Sequence, residues 1–499
     1  MGCAGAAAFP VRTAILSGFA EKDRPNILFI MSDDHTTNAI SAYGSRLTEI
    51  SKTPNIDRIA SEGMLLKNCF CTNSICVPSR ATILTGQYSH VNQVYTLRDV
   101  LDPKRQNVAK LLRDSGYQTA VVGKWHLKSI PSGFDYWNVL PGQGRYHDPE
   151  LTEIGRKKRV HKGFATDIIT DLAIKWLKNR NKKKPFFLMT QFKNPHAPWH
   201  FADRHASLYR DVKIPEPASL REDLSHRSHG SREYGFRVSG IQVDRMEADN
   251  YPTGKLNTNG MNAEAKTGAA YQKYLKDYLR CIQAVDENVG KVLSYLDKEG
   301  LNKNTVVIYT SDQGLYLGEH GYIDKRWMYE ESLRMPFLIR FPGEIKAGTV
   351  TDDIILNSDF APTFLDYAGE NTPDDMQGRS FRTNLAGRSP SNWRESMYYR
   401  YWLHCSRPAH LGIRTKRYKL IFFYGLPLNM KGAEKVPTKV GWELYDLKKD
   451  PNELHNIYSH PGYAKIVTEL KEELKRQREN LGDTDQEYPE MLELIKAYW

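Results

Sequence analysis

Through the first three quarters of this chain, short runs whose middles are apolar on both faces alternate with stretches of helical periodicity, and no other feature restricts the fold as much. A strand with one wet face shows apolar residues at every second position, whereas a continuous apolar run needs cover on both faces. Asn26-Ile27-Leu28-Phe29-Ile30-Met31, bounded by Pro25 and the polar Ser32-Asp33-Asp34, reads as such a central strand. Thr119 to Val122, Pro185 to Thr190 and Thr305 to Thr310 repeat the pattern. Helices are expected from Asn107 to Ser115, from Phe164 to Asn179 and from Ala265 to about Glu299, where Gly300 stops the last. The fold class is therefore α/β, a large and mostly parallel sheet sandwiched by helices.

In open sheets of this kind, ligands collect beyond the carboxyl ends of the strands. Asp33, Lys124, His196 and Asp312 all lie just past those ends, so one edge gathers polar side chains from four distant parts of the sequence. After about Ala386 the pattern changes to short strands, Ser396 to Tyr401, His410 to Arg414, Tyr418 to Tyr424 and Trp442 to Asp446, closed by a helix from Tyr463 to about Asn480. With 499 residues, one large unit and a smaller one are expected: a catalytic domain over 24–385 and an antiparallel sheet with a helix over 386–499. Between His200 and about Asn262 periodicity is lost, and a structureless substrate-covering loop is the expectation there.

Composition enters as a set of exclusions. Hydrophobic residues at 40% and charged residues at 26% are those of a globular protein, not a disordered one. No apolar run reaches the roughly 18 residues of a membrane span, so no transmembrane segment is expected. A net charge of +11 suits an anionic partner. The basic clusters Arg156-Lys157-Lys158-Arg159 and Lys182-Lys183-Lys184 lack interleaved aromatics and any nucleic-acid-binding pattern, so they read as solvated turns and no nucleic acid is expected. Residues 1–23, rich in Ala and Gly, read as an export or processing segment, with Cys3 a possible lipoprotein site and the periplasm or cell surface the expected location. Ala6 breaks the myristoylation pattern.

Six short runs carry the chemistry. Ser32-Asp33-Asp34-His35 sets two carboxylates side by side at a strand end, where a divalent cation relieves their repulsion, and hard oxygen donors favour calcium or magnesium over zinc. Ser311-Asp312-Gln313-Gly314 offers a second acceptor pair in the same setting. Gly123-Lys124-Trp125-His126-Leu127 places a cation and an imidazole two residues apart, and Asn194-Pro195-His196-Ala197-Pro198-Trp199 and Asp324-Lys325-Arg326 add a histidine and a lysine. The run Cys76-Val77-Pro78-Ser79-Arg80-Ala81-Thr82-Ile83-Leu84-Thr85-Gly86 holds one of six scattered cysteines (Cys3, Cys69, Cys71, Cys76, Cys281 and Cys405), which form no disulfide framework. A cysteine phosphatase would need an arginine where Thr82 stands, and the surroundings of a papain-like nucleophile are missing.

Cys76-x-Pro78-Ser79-Arg80 followed by Thr85-Gly86 resembles the element that a maturation enzyme reads in type I, formylglycine-dependent sulfatases of the alkaline-phosphatase-like superfamily. The resemblance covers almost the whole chain and is strongest to bacterial glycan and aryl sulfatases, in Gly318-Glu319-His320-Gly321-Tyr322 and Leu444-Tyr445-Asp446-Leu447. It implies that a formylglycine-generating enzyme converts Cys76 to formylglycine (3-oxoalanine). It further implies that Asp33, Asp34, Asp312 and Gln313 hold Ca2+, or Mg2+, together with the hydrate at position 76. Gln313 departs from the usual asparagine. By the same resemblance Lys124 and Lys325 contact sulfate, His126 meets the hydrate, His196 serves the leaving group and Arg80 stabilises the hydrate and metal side. A helix beginning near Ser79 would aim N–H groups at an anion. The implied activity is hydrolysis of a sulfate monoester on a carbohydrate, exo-acting, with 6-O-sulfated N-acetylglucosamine as one candidate. Trp199, His200, Trp402, His404 and Arg414 are candidates to line a sugar pocket. A phosphonate or phosphodiester hydrolase of the same superfamily, and a non-catalytic polyanion-binding protein, are the alternatives.

Overall fold

The computed structural model describes residues 24–499, so the expected export segment and Cys3 lie outside the described residues. Asn26–Ser32 occupies the middle of a ten-stranded sheet. Phe186–Gln191 pairs with it in parallel on one side and Thr305–Ser311 on the other. Gln118–Lys124 and Tyr136–Leu140 continue the parallel part, while Phe337–Arg340 pairs antiparallel with Thr305–Ser311 on the far side. Every residue of the three central strands is buried, as double cover requires.

The period of two sorts their side chains into separate cores. Ile27, Phe29 and Met31 face one cluster, where the Phe29 ring meets Phe360 and Phe364 at 6.2 and 5.5 Å. Leu28 and Ile30 face the other, against Val285, Val289 and Leu293 of the 36-residue helix Ala263–Lys298. Asn262 caps that helix by accepting from the Ala265 N–H.

A four-stranded antiparallel sheet follows, from Ser396–Tyr401 through His410–Thr415 and Tyr418–Phe423 to Gly441–Asp446, with the helix Ala464–Leu481 against it. A second helix, Pro489–Tyr498, closes the chain where the sequence suggested none, and Trp499 beyond it packs on Phe422 and Trp442. The small sheet shares its core with the large unit. Tyr329 donates to Glu443 at 2.7 Å, and the Tyr399 hydroxyl donates to the Arg326 carbonyl at 3.1 Å.

The stretch 200–262 corrects the expectation of a structureless cover. Short turns at Asp203–His205, Ala218–Arg221 and Leu224–His226 and a helix at Val243–Glu247 bury Ile214, Leu220, Val238 and Met246 in one core with the long helix. Apolar residues spaced singly between turns carry no period, which is why the sequence pattern hid them. Both basic clusters are exposed. Among the described residues the cysteines are unpaired, and no helix is long and apolar enough to cross a membrane.

Candidate active site

The edge where the parallel strands end collects the candidate residues, and backbone shape makes the collection possible. Asp34 has a φ of 68°, a sharp left-handed turn that sends two adjacent carboxylates toward one point. The Asp34 N–H donates to Asp312 Oδ1 at 3.2 Å, and the Tyr278 hydroxyl donates to the Asp34 carbonyl at 2.8 Å. Gly314 is required behind the second pair, because a Cβ there would lie 2.0 Å from the Glu331 carbonyl oxygen. Ligand atoms of Asp33, Asp34 and Asp312, all buried, come within 4.8 Å of one another.

Three buried carboxylates in so small a volume fit a hard divalent cation. Burial pushes the Asp34 carboxyl up despite the adjacent Lys325, and Asp312 adds to the push. Gln313 donates its amide to Asp34 Oδ1, and its Oε1 is buried without a hydrogen-bond partner, a fourth oxygen of the right kind. The donor set therefore fits the ion that the sequence implied.

Cys76 opens the helix Cys76–Thr85, all of it buried. This start lies one turn earlier than the expected Ser79, since Ile75 is extended and Pro78 falls within the first turn, where a missing N–H costs nothing. Cys76 Sγ lies 3.3 Å from Asp33 Oδ1. Burial, against Lys325 and with Asp312 and Asp34, pushes the thiol up to about 12, so a thiolate nucleophile is disfavoured here. Ser79 donates to the Asp312 carbonyl. Arg80 ties three strand ends together, with Nε 2.9 Å from Asp312 Oδ2 and Nη1 2.7 Å from both the Lys124 carbonyl and Gln191 Oε1.

Lys124 pairs with Asp33 and donates to Gln143 Oε1 at 2.5 Å. Lys325 reaches both oxygens of Asp34, at 2.7 and 2.5 Å. Burial opposes its charge, yet Asp34 and Cys76 outweigh that and hold the ammonium above its ordinary range. His196 bonds the Ala197 carbonyl through Nδ1 at 2.7 Å, which leaves Nε2 3.7 Å from Asp34 Oδ2. Burial first, then Lys124, Lys325 and Lys193, keep this imidazole well below its ordinary range. His126 is buried with a φ of 62°, its Nδ1 unbonded, and burial plus Lys124 and Arg80 keep it neutral.

The structure thus brings Asp33, Asp34, Cys76, Arg80, Lys124, His196, Asp312, Gln313 and Lys325 into one contact network, with His126 two residues past Lys124 at the same edge. The expected sugar-pocket residues fare differently. Arg414 is buried in an ion pair with Glu330 and lies 4.4 Å over the Phe70 ring, so it is a packing residue away from this edge. Trp199 is buried against Tyr274 at 4.4 Å, part of the long-helix core and no open platform. Trp402 is buried edge-on to Tyr95, His404 is buried beside Cys405, and His200 is half-buried on the His147 ring at 4.2 Å. Sequence reasoning missed Gln143, Tyr146, Gln191 and Lys193. Gln191 and Lys193 follow the strand-end rule that found Asp33, whereas Gln143 and Tyr146 sit in an irregular loop that carries no such signal.

A family model described as sulfatase matches residues 25–370. The chain belongs to the sulfatase family. Sulfatases generally use a formylglycine and a divalent metal, and the acid cluster beside Cys76 is consistent with that. A second model, N-sulphoglucosamine sulphohydrolase C-terminal, matches residues 318–480. The N-acetylglucosamine-6-O-sulfatase of Bacteroides thetaiotaomicron is 41% identical over 93% of this chain and 88% of its own length. The N-acetylglucosamine-6-sulfatase of Capra hircus is 28% identical over 89% of this chain and 81% of its own. Among solved structures, BT4656 in complex with its substrate D-glucosamine-2-N,6-O-disulfate superposes with a TM-score of 0.85 at 40% identity, covering 93% of this chain and all of the other. The phosphonate monoester hydrolase of Agrobacterium radiobacter, at 22% identity and a TM-score of 0.71 over 92% of this chain and 96% of its own, shares the fold alone. This sulfatase is accordingly an enzyme that hydrolyses a sulfate ester of a glycan.

Proposed function

We propose that this sulfatase removes the 6-O-sulfate from a terminal N-acetylglucosamine or related hexosamine, using a formylglycine made from Cys76 and a Ca2+ ion held by Asp33, Asp34, Asp312 and Gln313. The observation that carries the chemistry is the convergence of three buried carboxylates, Cys76 and two lysines within direct contact of one another. Support for the sugar comes from the 41% identical N-acetylglucosamine-6-O-sulfatase and from the ligand of the similar solved structure.

A formylglycine hydrate supplies two hydroxyls on one carbon, and a bound divalent cation supplies a Lewis acid beside them. The chain's own residues do the rest. Lys124 and Lys325 hold the sulfate oxygens and offset their charge as the bond to the sugar oxygen breaks. A sugar alkoxide is a poor leaving group and needs a proton. His196 gives it from Nε2 as the imidazolium, its Nδ1–H staying committed to the Ala197 carbonyl; the bound sulfate, by offsetting the lysine charges that keep the free ring neutral, favours that form. His126, neutral in its buried position and with Nδ1 unbonded, would relay a proton at the opposite step without holding a charge. Arg80 fixes Asp312 and the Lys124 turn together, so that cations and carboxylates keep their spacing.

Sulfate release from a panel of defined saccharides tests the reading, with the 6-sulfate of N-acetylglucosamine compared with 4-sulfated galactosamine and with matched phosphate esters. Preference for any other position or for the phosphate esters overturns it. Mass analysis of the peptide that contains position 76 tests the maturation step. The same reading, on the composition of residues 1–23, places the enzyme in the periplasm or at the cell surface, which fractionation of cells tests.

A further inference from the structure

Lys193 lies two residues beyond the strand Phe186–Gln191, on the turn that carries His196, and only 3% of it is exposed. A lysine this buried is ordinarily neutralised by a carboxylate. Lys193 Nζ has neither an ion pair nor a hydrogen bond among the described residues, and lies instead over the ring of Tyr146, 4.7 Å from its centre. Tyr146 comes from the loop after Tyr136–Leu140, is itself buried, and stacks its other neighbour Phe164 at 6.0 Å. Its hydroxyl donates to the backbone carbonyl of His196. The N–H of His196 in turn donates to the Lys193 carbonyl at 3.1 Å. His196 is thus held at both ends of its backbone by one unit, the lysine and the tyrosine beneath it.

We infer that Lys193 is a positioning residue for His196, acting through the face of the Tyr146 ring. An aliphatic side chain would fill the same space, but only a cation is drawn to a ring face and so fixes the tilt of that ring. The tilt decides where the Tyr146 hydroxyl points, and the hydroxyl fixes the carbonyl of the turn from which the imidazole projects. Burial brings the Lys193 amine down to about 8, near the point where it remains largely charged in neutral solution. The inference rests on the reading of His196 as the group that protonates the leaving oxygen.

Proton donation matters only where the leaving group is poor. A sugar alkoxide needs it, whereas the phenolate of an aryl sulfate such as para-nitrophenyl sulfate departs without it. Lys193→Met should therefore lower kcat on a hexosamine 6-sulfate by about 10–100-fold, the cost of a misplaced catalytic group, while kcat on the aryl sulfate stays within about twofold. Lys193→Arg, which keeps the cation over the ring, should recover most of the loss. Tyr146→Phe keeps the ring and removes the hydroxyl, so it should show the same selectivity even if Lys193→Met folds poorly, and thermal melts of all variants monitor folding. Equal losses on both substrates in Lys193→Met and Tyr146→Phe, with His196→Ala still selective, overturn the role of Lys193 alone. A His196→Ala variant that loses both substrates equally overturns the reading of His196 and this inference with it.

Discussion

A thiol at position 76 is chemically quiet in these surroundings. Burial pushes its pKa up to about 12, and its Sγ lies 3.3 Å from the Asp33 carboxylate. Cys76→Ala should accordingly abolish turnover while leaving circular dichroism and the melting temperature close to those of the parent, whereas activity in that variant would show that the chemistry lies elsewhere. Gln313 makes a second test at this scale. Its Oε1 is the one acceptor of the cluster that belongs to a neutral side chain, so Gln313→Ala should weaken binding of Ca2+ by at least about tenfold, as loss of even a supporting partner does. Gln313→Asn keeps a carboxamide and should retain most of the affinity, both read by calorimetric titration. The acid pairs were legible in the sequence because each follows an uninterrupted apolar strand. Trp199 and Arg414 are buried, and the sequence could not show it, because an aromatic or an arginine has the same sequence appearance whether it lines a pocket or packs in a core.

Short elements around the site are fixed by buried polar networks as much as by apolar cover. The turn Glu319–Gly321 is the clearest case. His320 is buried, with Nδ1 2.6 Å from Glu222 Oε2 and Nε2 3.5 Å from Glu331 Oε2. Burial and Arg227 oppose its charge, but the two glutamates prevail and raise it from 6.5 to about 9. A folded-state pKa raised above the unfolded one contributes stability that is complete below about 6.5 and is lost as pH rises through about 9. Denaturant unfolding should thus show a loss on the order of 1–3 kcal/mol across that window, and His320→Gln should flatten it. A variant that keeps the full pH slope would assign the titration to another group. The helix Cys76–Thr85 shows how far local signals reach: its proline and its closing Gly86, at φ 67°, were visible, but its first residue was set by the extended Ile75 packed in the core.

At the scale of the molecule, two units share one core and one edge. Met328 and Tyr329 of the large unit lie in the same apolar cluster as Ile413, Ile421 and Phe423 of the small sheet, and the Ser74 N–H beside Cys76 donates to Tyr399 at 3.2 Å. Deleting residues 386–499 would expose that cluster, so the remaining chain should be recovered insoluble or without a cooperative melt; a soluble, cooperatively folding product would show the units to be independent. Metal removal acts on the whole molecule as well. Three buried carboxylates repel when the compensating charge is taken away, so chelation should lower the melting temperature, and Asp33→Asn with Asp34→Asn should erase most of that difference.

The sequence by itself determined the double-covered parallel sheet, because runs apolar on both faces admit no other burial, and it determined which side chains stand at the strand ends. It also determined the family, through the run that begins at Cys76. Only the tertiary structure decided which of those residues touch: the left-handed turn at Asp34, the early start of the helix after Ile75, and the meeting of Asp33 with Lys124 across the intervening strand Phe186–Gln191 depend on how segments far apart in the chain pack together. It likewise decided what has no period to read, the packed turns of 200–262, and what no local pattern marks, the loop that brings Gln143 to Lys124 and Tyr146 beneath His196. Periodicity reports burial along one element. Contact between elements is settled by packing, and the reactive edge of this sulfatase is made of such contacts.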